Sequence, residues 1–117
     1  NAISHAACSV SGDQGIDILV TMTHSGSTAR MAARYRPAAK IIAMTPFKET
    51  CRRLAIVWGV NPFLVDSYKS ADEIPEIANK VLGKMGLIEE GERFVVTGGV
   101  PVGVPGTTNY LSVLKGN

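Results

Sequence analysis

Residues 16–28, IDILVTMTHSGST, decide the fold. The first seven of them form a mainly apolar run, which is typical of a strand buried on both faces of a parallel sheet. The remaining six are polar and mostly small, and from Ser27 the chain follows a helical pattern that Pro37 ends. The stretch therefore predicts a strand, a tight loop and a helix in direct succession.

The same alternation continues along the rest of the chain. Short apolar runs predict five strands, at residues 16–22, 41–44, 63–65, 94–97 and 110–114. Helical patterns predict four helices, at residues 2–10, at 27–35, between Pro46 and Gly59, and between Asp72 and Gly86.

The last two helices carry the clearest end signals. Thr45 is the predicted N-cap of the third helix, with Pro46 at its first position, and Asp72 is the predicted N-cap of the fourth. One face of the third helix is predicted to be buried and consists of Cys51, Leu54, Ala55 and Trp58. The predicted buried face of the fourth helix consists of Ile74, Ile77, Ala78, Val81, Leu82 and Met85.

Strands that alternate with helices indicate a parallel sheet covered on both faces. The last connection, residues 98–109, has no helical pattern, so the fifth strand is expected to run antiparallel at an edge. We therefore expect an α/β fold, a three-layer α/β/α sandwich around a five-stranded, mostly parallel sheet. The length of 117 residues fits one domain, residues 1–117.

Composition excludes several classes of protein. A formal net charge of only +2 argues against a nucleic-acid or membrane partner. Neither a signal peptide nor a membrane-spanning apolar run is present in the sequence. Cys8 and Cys51 have no metal-ligand spacing and are expected to be free, half-buried thiols in a reducing cytosol. The chain starts at Asn1, already in a helical pattern, so we expect a piece of a longer cytoplasmic protein.

The loop after the first strand is the first candidate site. Its hydroxyl groups can donate hydrogen bonds, Gly26 permits a tight turn, and the free N–H groups and dipole of the helix that follows favour an anion such as phosphate. A simpler interpretation is that Ser25 or Ser27 only caps the helix. The candidate phosphate-binding residues are Thr23, His24, Ser25, Gly26, Ser27 and Thr28.

The loop after the fourth strand, residues 98–109 (GGVPVGVPGTTN), is the second candidate. It lacks the Gly-Lys-Ser/Thr ending of a P-loop, and no helix follows it as in a dinucleotide-binding motif. Alone it fits a structural loop equally well. A binding role is better supported when this loop is considered together with the first one. Both loops leave the carboxyl ends of parallel strands, where ligands bind in open α/β sheets. Its candidate residues are Gly98, Gly99, Gly103, Gly106, Thr107 and Thr108.

Residues for catalysis are not apparent. The sequence gives no basis for assembling a Ser/His/Asp set, a carboxylate pair or a metal cluster, so no catalytic or metal-binding residue is predicted. This argues against a small α/β enzyme that acts alone. A stand-alone module that binds phosphorylated metabolites remains an alternative.

Six segments, in this order, together resemble the carboxy-terminal domain of the pyruvate kinase family. They are AISHA at residues 2–6, THSGSTAR at 23–30, RYRP at 34–37, IAMTP at 42–46, WGVNP at 58–62 and VPVGVPGTTN at 100–109. Any one of these segments alone would be weak evidence for the resemblance, but their combination is specific and spans nearly the whole chain.

The resemblance implies a cytosolic glycolytic enzyme that transfers a phosphoryl group from phosphoenolpyruvate to ADP and needs Mg²⁺ and usually K⁺. The family's catalytic site lies in a TIM barrel that this chain does not contain, so no catalytic residue carries over. What carries over is an allosteric pocket, in which the loop of Thr23, Ser25, Gly26, Ser27 and Thr28 holds the effector phosphate and residues 98–108 close over the ligand. The resemblance also implies a tetramer in which this domain forms a subunit interface.

One departure from the family bears on the effector. Forms that respond to fructose 1,6-bisphosphate usually carry cationic or aromatic residues around the second phosphate, whereas residues 98–109 contain no Lys, Arg or aromatic residue. A second phosphate would lack a charged partner there. We therefore expect a monophosphate effector, AMP or a sugar monophosphate, rather than fructose 1,6-bisphosphate.

Overall fold

The computed structural model describes residues 2–98 and 110–117. Its helices are α1 (Ala2–Asp13), α2 (Ser27–Arg34), α3 (Lys48–Leu54) and α4 (Ile74–Lys84), with a 3₁₀ turn at Ala71–Glu73. Its strands are β1 (Ile18–Met22), β2 (Lys40–Thr45), β3 (Val60–Leu64), β4 (Arg93–Gly98) and β5 (Tyr110–Lys115).

The strands form one sheet in the order β3-β2-β1-β4-β5. Strand β1 pairs in parallel with β2 and with β4, β3 pairs in parallel with β2, and β5 runs antiparallel to β4 at an edge. The predicted sheet is therefore confirmed, including its antiparallel last strand. The direction in which strands are added reverses between β1 and β4, which makes this pair the topological switch point.

Helices cover both faces of the sheet, as predicted. On one face, the buried side chains of Leu19 and Val95 pack with residues of α1, α2 and α3, among them Leu54. On the other face, Val20 and Phe94 pack with the buried side of α4. All five residues of β1 are buried, as a central strand of a three-layer sandwich requires.

Helix α4 begins differently from the sequence prediction. The predicted N-cap, Asp72, lies inside the 3₁₀ turn, and Ser70 precedes that turn instead. The Glu73 carboxylate accepts hydrogen bonds from the N–H groups of Lys69 (2.6 Å) and Ser70 (3.1 Å), which lower its pKa. Ile74, Ala78 and Leu82 are buried as predicted, whereas Met85, just past the last turn, is 52% exposed.

The prediction for the third helix was wrong at both ends. Thr45 remains in β2, where its hydroxyl accepts a hydrogen bond from the Phe47 N–H (3.2 Å), and Phe47 is the N-cap. The helix ends at Leu54, and the backbone then turns toward β3. Trp58 therefore leaves the helix face and is 80% exposed, with the Arg36 guanidinium 5.8 Å from its ring centre.

Strand β3 begins three residues earlier than predicted, at Val60 rather than Phe63, and it includes Pro62. Proline is tolerated there because β3 lies at an edge of the sheet. Cys8 and Cys51 are free and half-buried, and burial raises the pKa of the Cys8 thiol. Within the described residues, every helix is too short or too polar to cross a membrane.

Phe94 and Trp58 give a matched test of these placements. Phe94 is fully buried, so Phe94→Ala is expected to lower the free energy of unfolding by about 3–5 kcal/mol through lost packing. Trp58→Ala removes an exposed ring and is expected to change it by no more than about 0.5 kcal/mol. Urea denaturation measures both. If Trp58→Ala lowered the free energy of unfolding as much as Phe94→Ala does, Trp58 would belong to the core.

Candidate anion-binding site

The two candidate loops start side by side at the switch point. Met22, the last residue of β1, is paired in register with Gly98, the last residue of β4. A Cβ atom on Gly98 would lie 2.9 Å from the Met22 carbonyl oxygen, so this close approach requires glycine. The other candidates of the second loop, Gly99, Gly103, Gly106, Thr107 and Thr108, lie outside the described residues.

Hydrogen bonds within the first loop fix its shape. The Thr23 N–H donates to the Met44 carbonyl (3.0 Å), which continues the β1–β2 ladder by one residue. The buried Thr23 hydroxyl then accepts a hydrogen bond from the Gly26 N–H (2.8 Å). Gly26 has a φ of 93°, in the left-handed region, and this conformation turns the chain into α2. The first turn of α2 therefore begins directly after the carboxyl end of β1, the strand that pairs with β4 at the switch point.

The start of α2 has no strong side-chain cap. Its N-cap residue is Gly26, which has no side chain to accept a hydrogen bond. The Ser27 N–H does point at the Ser25 hydroxyl oxygen, but the distance of 3.4 Å is long for a hydrogen bond. Capping by Ser25 is thus weak, and the two serine hydroxyls lie 3.3 Å apart in front of the helix. Thr28, in contrast, is buried.

His24 is held from three sides. Its carbonyl oxygen accepts a hydrogen bond from the Thr50 hydroxyl (2.7 Å), which ties the loop to α3. The ring centre of His24 lies 5.5 Å from that of Phe47 and 5.6 Å from that of Tyr68. Burial lowers the pKa of His24 below its ordinary value of 6.5, so the neutral imidazole is favoured. His24 is therefore a weaker partner for an anion than a charged imidazolium would be.

Arg30 is a residue of the site that the sequence argument did not single out. Its backbone N–H donates to the Gly26 carbonyl (3.0 Å), and its guanidinium Nη1 lies 3.4 Å from the Ser25 carbonyl oxygen. A positive charge thus stands beside the loop. The four-residue spacing from Gly26 was the available signal, because residues at that spacing lie on one face of a helix.

The chain matches the family model described as "Pyruvate kinase, alpha/beta domain" over residues 1–114. It is 39% identical over 113 residues to the pyruvate kinase of Clostridium acetobutylicum, covering 97% of this chain and 24% of that protein. It is 38% identical over 113 residues to the pyruvate kinase of Staphylococcus epidermidis, covering 97% of this chain and 19% of the relative.

The chain belongs to the pyruvate kinase alpha/beta domain family. Solved structures agree, because a Cryptosporidium parvum pyruvate kinase in complex with ADP superposes with a TM-score of 0.85 at 27% identity, covering 99% of this chain and 23% of that one. A second structure of a pyruvate kinase from that organism gives a TM-score of 0.86 at 28% identity, covering 99% of this chain and 22% of the other. The chain spans less than a quarter of the length of these relatives.

The described part of the site offers hydrogen-bond donors of the kind that bind phosphate. Within residues 2–98 and 110–117, His, Cys, Asp and Glu side chains do not gather in any group of three that could hold a metal ion. What the described part of the site presents is hydroxyl groups, the amino end of α2 and the Arg30 guanidinium.

Glycine substitutions test the loop geometry. Gly26→Ala is expected to lower the free energy of unfolding by about 1–3 kcal/mol, because its φ is positive and the new Cβ would meet Arg30 Nη1 at 3.1 Å and Leu54 Cδ2 at 3.3 Å. Gly83→Ala, in the last turn of α4 where an added Cβ would meet nothing within 4 Å, is the control and is expected to raise the free energy of unfolding by about 0.5–1 kcal/mol. Thermal and urea unfolding measure both. Equal effects would rule out the left-handed turn at Gly26.

The pKa of His24 predicts a dependence of stability on pH. Because the folded-state pKa lies below the ordinary value of 6.5, protonation favours the unfolded chain. The stability that the neutral His24 side chain contributes is fully present above pH 6.5 and is lost as the pH falls through the folded-state pKa. The free energy of unfolding should therefore fall less steeply on acidification in His24→Gln than in the wild type. His5→Gln controls for the loss of an exposed imidazole, and identical slopes for the wild type and His24→Gln would contradict the burial of His24.

Proposed function

We propose that this domain is the effector-binding domain of a pyruvate kinase and that residues 23–28 bind the phosphate of a phosphorylated metabolite. One observation carries the proposal. The first turn of α2 begins directly after the carboxyl end of β1 without a strong cap, and the hydroxyls of Ser25 and Ser27 lie 3.3 Å apart at its start. Backbone N–H groups and a helix dipole at such a place favour an anion with several acceptor oxygens.

The charge around the loop supports the same ligand. The Arg30 guanidinium stands beside Ser25, so a phosphate on the loop would lie within the field of a cation. The buried hydrogen bond between Thr23 and Gly26 holds the donors in place before any ligand arrives. Because little order is lost on binding, such a loop retains more of its interaction energy as affinity.

A single phosphate is favoured over two. The side chains that flank His24 in the described structure are the aromatic rings of Phe47 and Tyr68, and residues 98–109 contain neither Lys nor Arg. A second phosphate would have no guanidinium or ammonium partner within residues 98–109. AMP or a sugar monophosphate therefore fits better than fructose 1,6-bisphosphate.

The proposal places this chain, residues 1–117, as a regulatory and subunit-interface domain in a larger cytoplasmic enzyme. Its relatives are pyruvate kinases more than four times as long as the matched segment. The transfer of a phosphoryl group from phosphoenolpyruvate to ADP, with Mg²⁺ and K⁺, would take place in the part of each subunit that lies outside this domain. The whole enzyme would be a homotetramer. The effector would act by binding one quaternary state better than another, typically by about 1–3 kcal/mol.

Isothermal titration of the chain with AMP, ribose 5-phosphate, glucose 6-phosphate and fructose 1,6-bisphosphate tests the phosphate site. We expect saturable binding of a monophosphate that weakens at least about tenfold in Ser25→Ala/Ser27→Ala, because each hydroxyl would donate to a charged oxygen. Ser9→Ala, at an exposed position of α1, is the control and should bind as the wild type does. Unchanged affinity in the double variant, or tight fructose 1,6-bisphosphate binding without AMP binding, would refute the proposal.

A further inference from the structure

A cleft lies between the edge strand β3 and helix α4. Its volume is about 330 Å³, at the lower end of the range for ligand pockets. Its floor is apolar and continuous with the core, since it consists of half-buried side chains that pack against buried residues of that face of the sheet: Phe63, Val65, Ile77 and Val81. Residues 23–28 do not line it, so the cleft is separate from the proposed phosphate site.

Helix α4 and its C-cap residue present two rows of side chains at the cleft. Ile77, Val81 and Met85 recur every four residues and form an apolar row, whereas Lys80 and Lys84 form a cationic row beside it. Met85 is 52% exposed. Apolar surface therefore remains open to a ligand next to two positive charges.

The two ammonium groups have no ion-pair partner among the described residues. In the part of the chain that the structure describes, the only ion pair joins Arg53 to Glu49 on α3. Asp66 also lines the cleft, but its carboxylate is not paired with Lys80 or Lys84. The cleft thus has two positive charges against one negative charge, which favours an anion.

A peptide strand is a poor occupant of this edge, although unpaired edge strands can accept one. The Val65 N–H donates to the Thr45 carbonyl (2.9 Å), toward β2. Because the direction of the N–H groups alternates along a strand, position 62 faces the open edge. Pro62 occupies it and has no N–H to offer an added strand. A compact ligand that contacts side chains therefore fits better than a strand that needs backbone partners.

We propose that the cleft between β3 and α4 binds an aliphatic carboxylate, with its hydrocarbon chain along the apolar row of α4 and its carboxylate beside Lys80 and Lys84. A ligand of this class matches both halves of the cleft. The apolar floor buries methylene groups, and the ammonium groups attract the anion. A neutral hydrocarbon would leave the charges without a partner, and a small polar anion would leave the floor exposed to water.

Octanoate is a suitable probe, titrated into the ¹⁵N-labelled chain and followed by backbone-amide NMR. We expect saturable shifts at Val65, Val81 and Met85, and none at residues 26–28. Octanoate should bind roughly 4- to 15-fold more tightly than hexanoate, because each of its two additional methylenes contributes up to about fourfold when buried. Octanamide keeps the hydrocarbon chain but lacks the charge, and should bind roughly 3- to 30-fold more weakly than octanoate.

Two double variants separate the lysine pair from net charge. Lys80→Gln/Lys84→Gln should weaken octanoate binding roughly 3- to 30-fold, because it removes both exposed charges from the cleft. Lys40→Gln/Lys115→Gln removes the same charge at exposed positions outside the cleft and should bind octanoate as the wild type does. Met85→Glu adds a negative charge at the end of the apolar row and should also weaken binding. Thermal unfolding establishes that each variant is folded under the titration conditions.

Several results would overturn the carboxylate site. Equal affinities for octanoate and octanamide, or equal losses in the two lysine double variants, would do so. The absence of saturable binding would do so as well. Loss of octanoate binding in Ser25→Ala/Ser27→Ala would place the anion at the phosphate loop instead. Shifts of the same cleft amides with protein concentration alone, abolished by Met85→Glu, would show that a second copy of the chain covers the cleft.

Discussion

The position of β1 is the constraint on which the rest of the structure depends. It is hydrogen-bonded to β2 on one side and to β4 on the other, and all five of its residues are buried between two layers of helices. Water therefore cannot satisfy its backbone groups, which have to be paired within the sheet. The chain leaves this buried position at Met22, at the switch point, and the first polar groups available to a ligand are those of the loop that follows.

That loop has to turn the chain from a buried strand into a helix within four residues. The Thr23 hydroxyl bonds to the Gly26 N–H, and Gly26 takes the left-handed conformation that an added Cβ would disfavour. Because Gly26 is the N-cap residue, this turn also leaves the first turn of α2 without a strong side-chain cap. The geometry proposed to bind phosphate is thus a direct consequence of how the fold makes this turn.

The sequence predicted the sheet and its antiparallel last strand because short apolar runs and an irregular last connection are local signals. The helical spacing also continues past Leu54 to Trp58, but the backbone does not, so the predicted burial of Trp58 was wrong. The small polar composition of residues 23–28 was enough to predict a candidate loop. The approach of Arg30 to that loop is local and follows from its four-residue helical spacing from Gly26. The contacts of His24 with Phe47 and Tyr68 depend on which strands are neighbours, and no local pattern carries that information.

The central claim is that the amino end of α2 receives the phosphate. A backbone-amide NMR titration of the ¹⁵N-labelled chain with AMP tests it most directly, because it locates the ligand residue by residue. The account predicts that the largest shifts fall on the amides of Gly26, Ser27 and Thr28, with a smaller shift at Arg30 and none at Lys84 or Gly86 at the far end of α4. Shifts that are absent from residues 26–28 while they saturate elsewhere in the domain would contradict it.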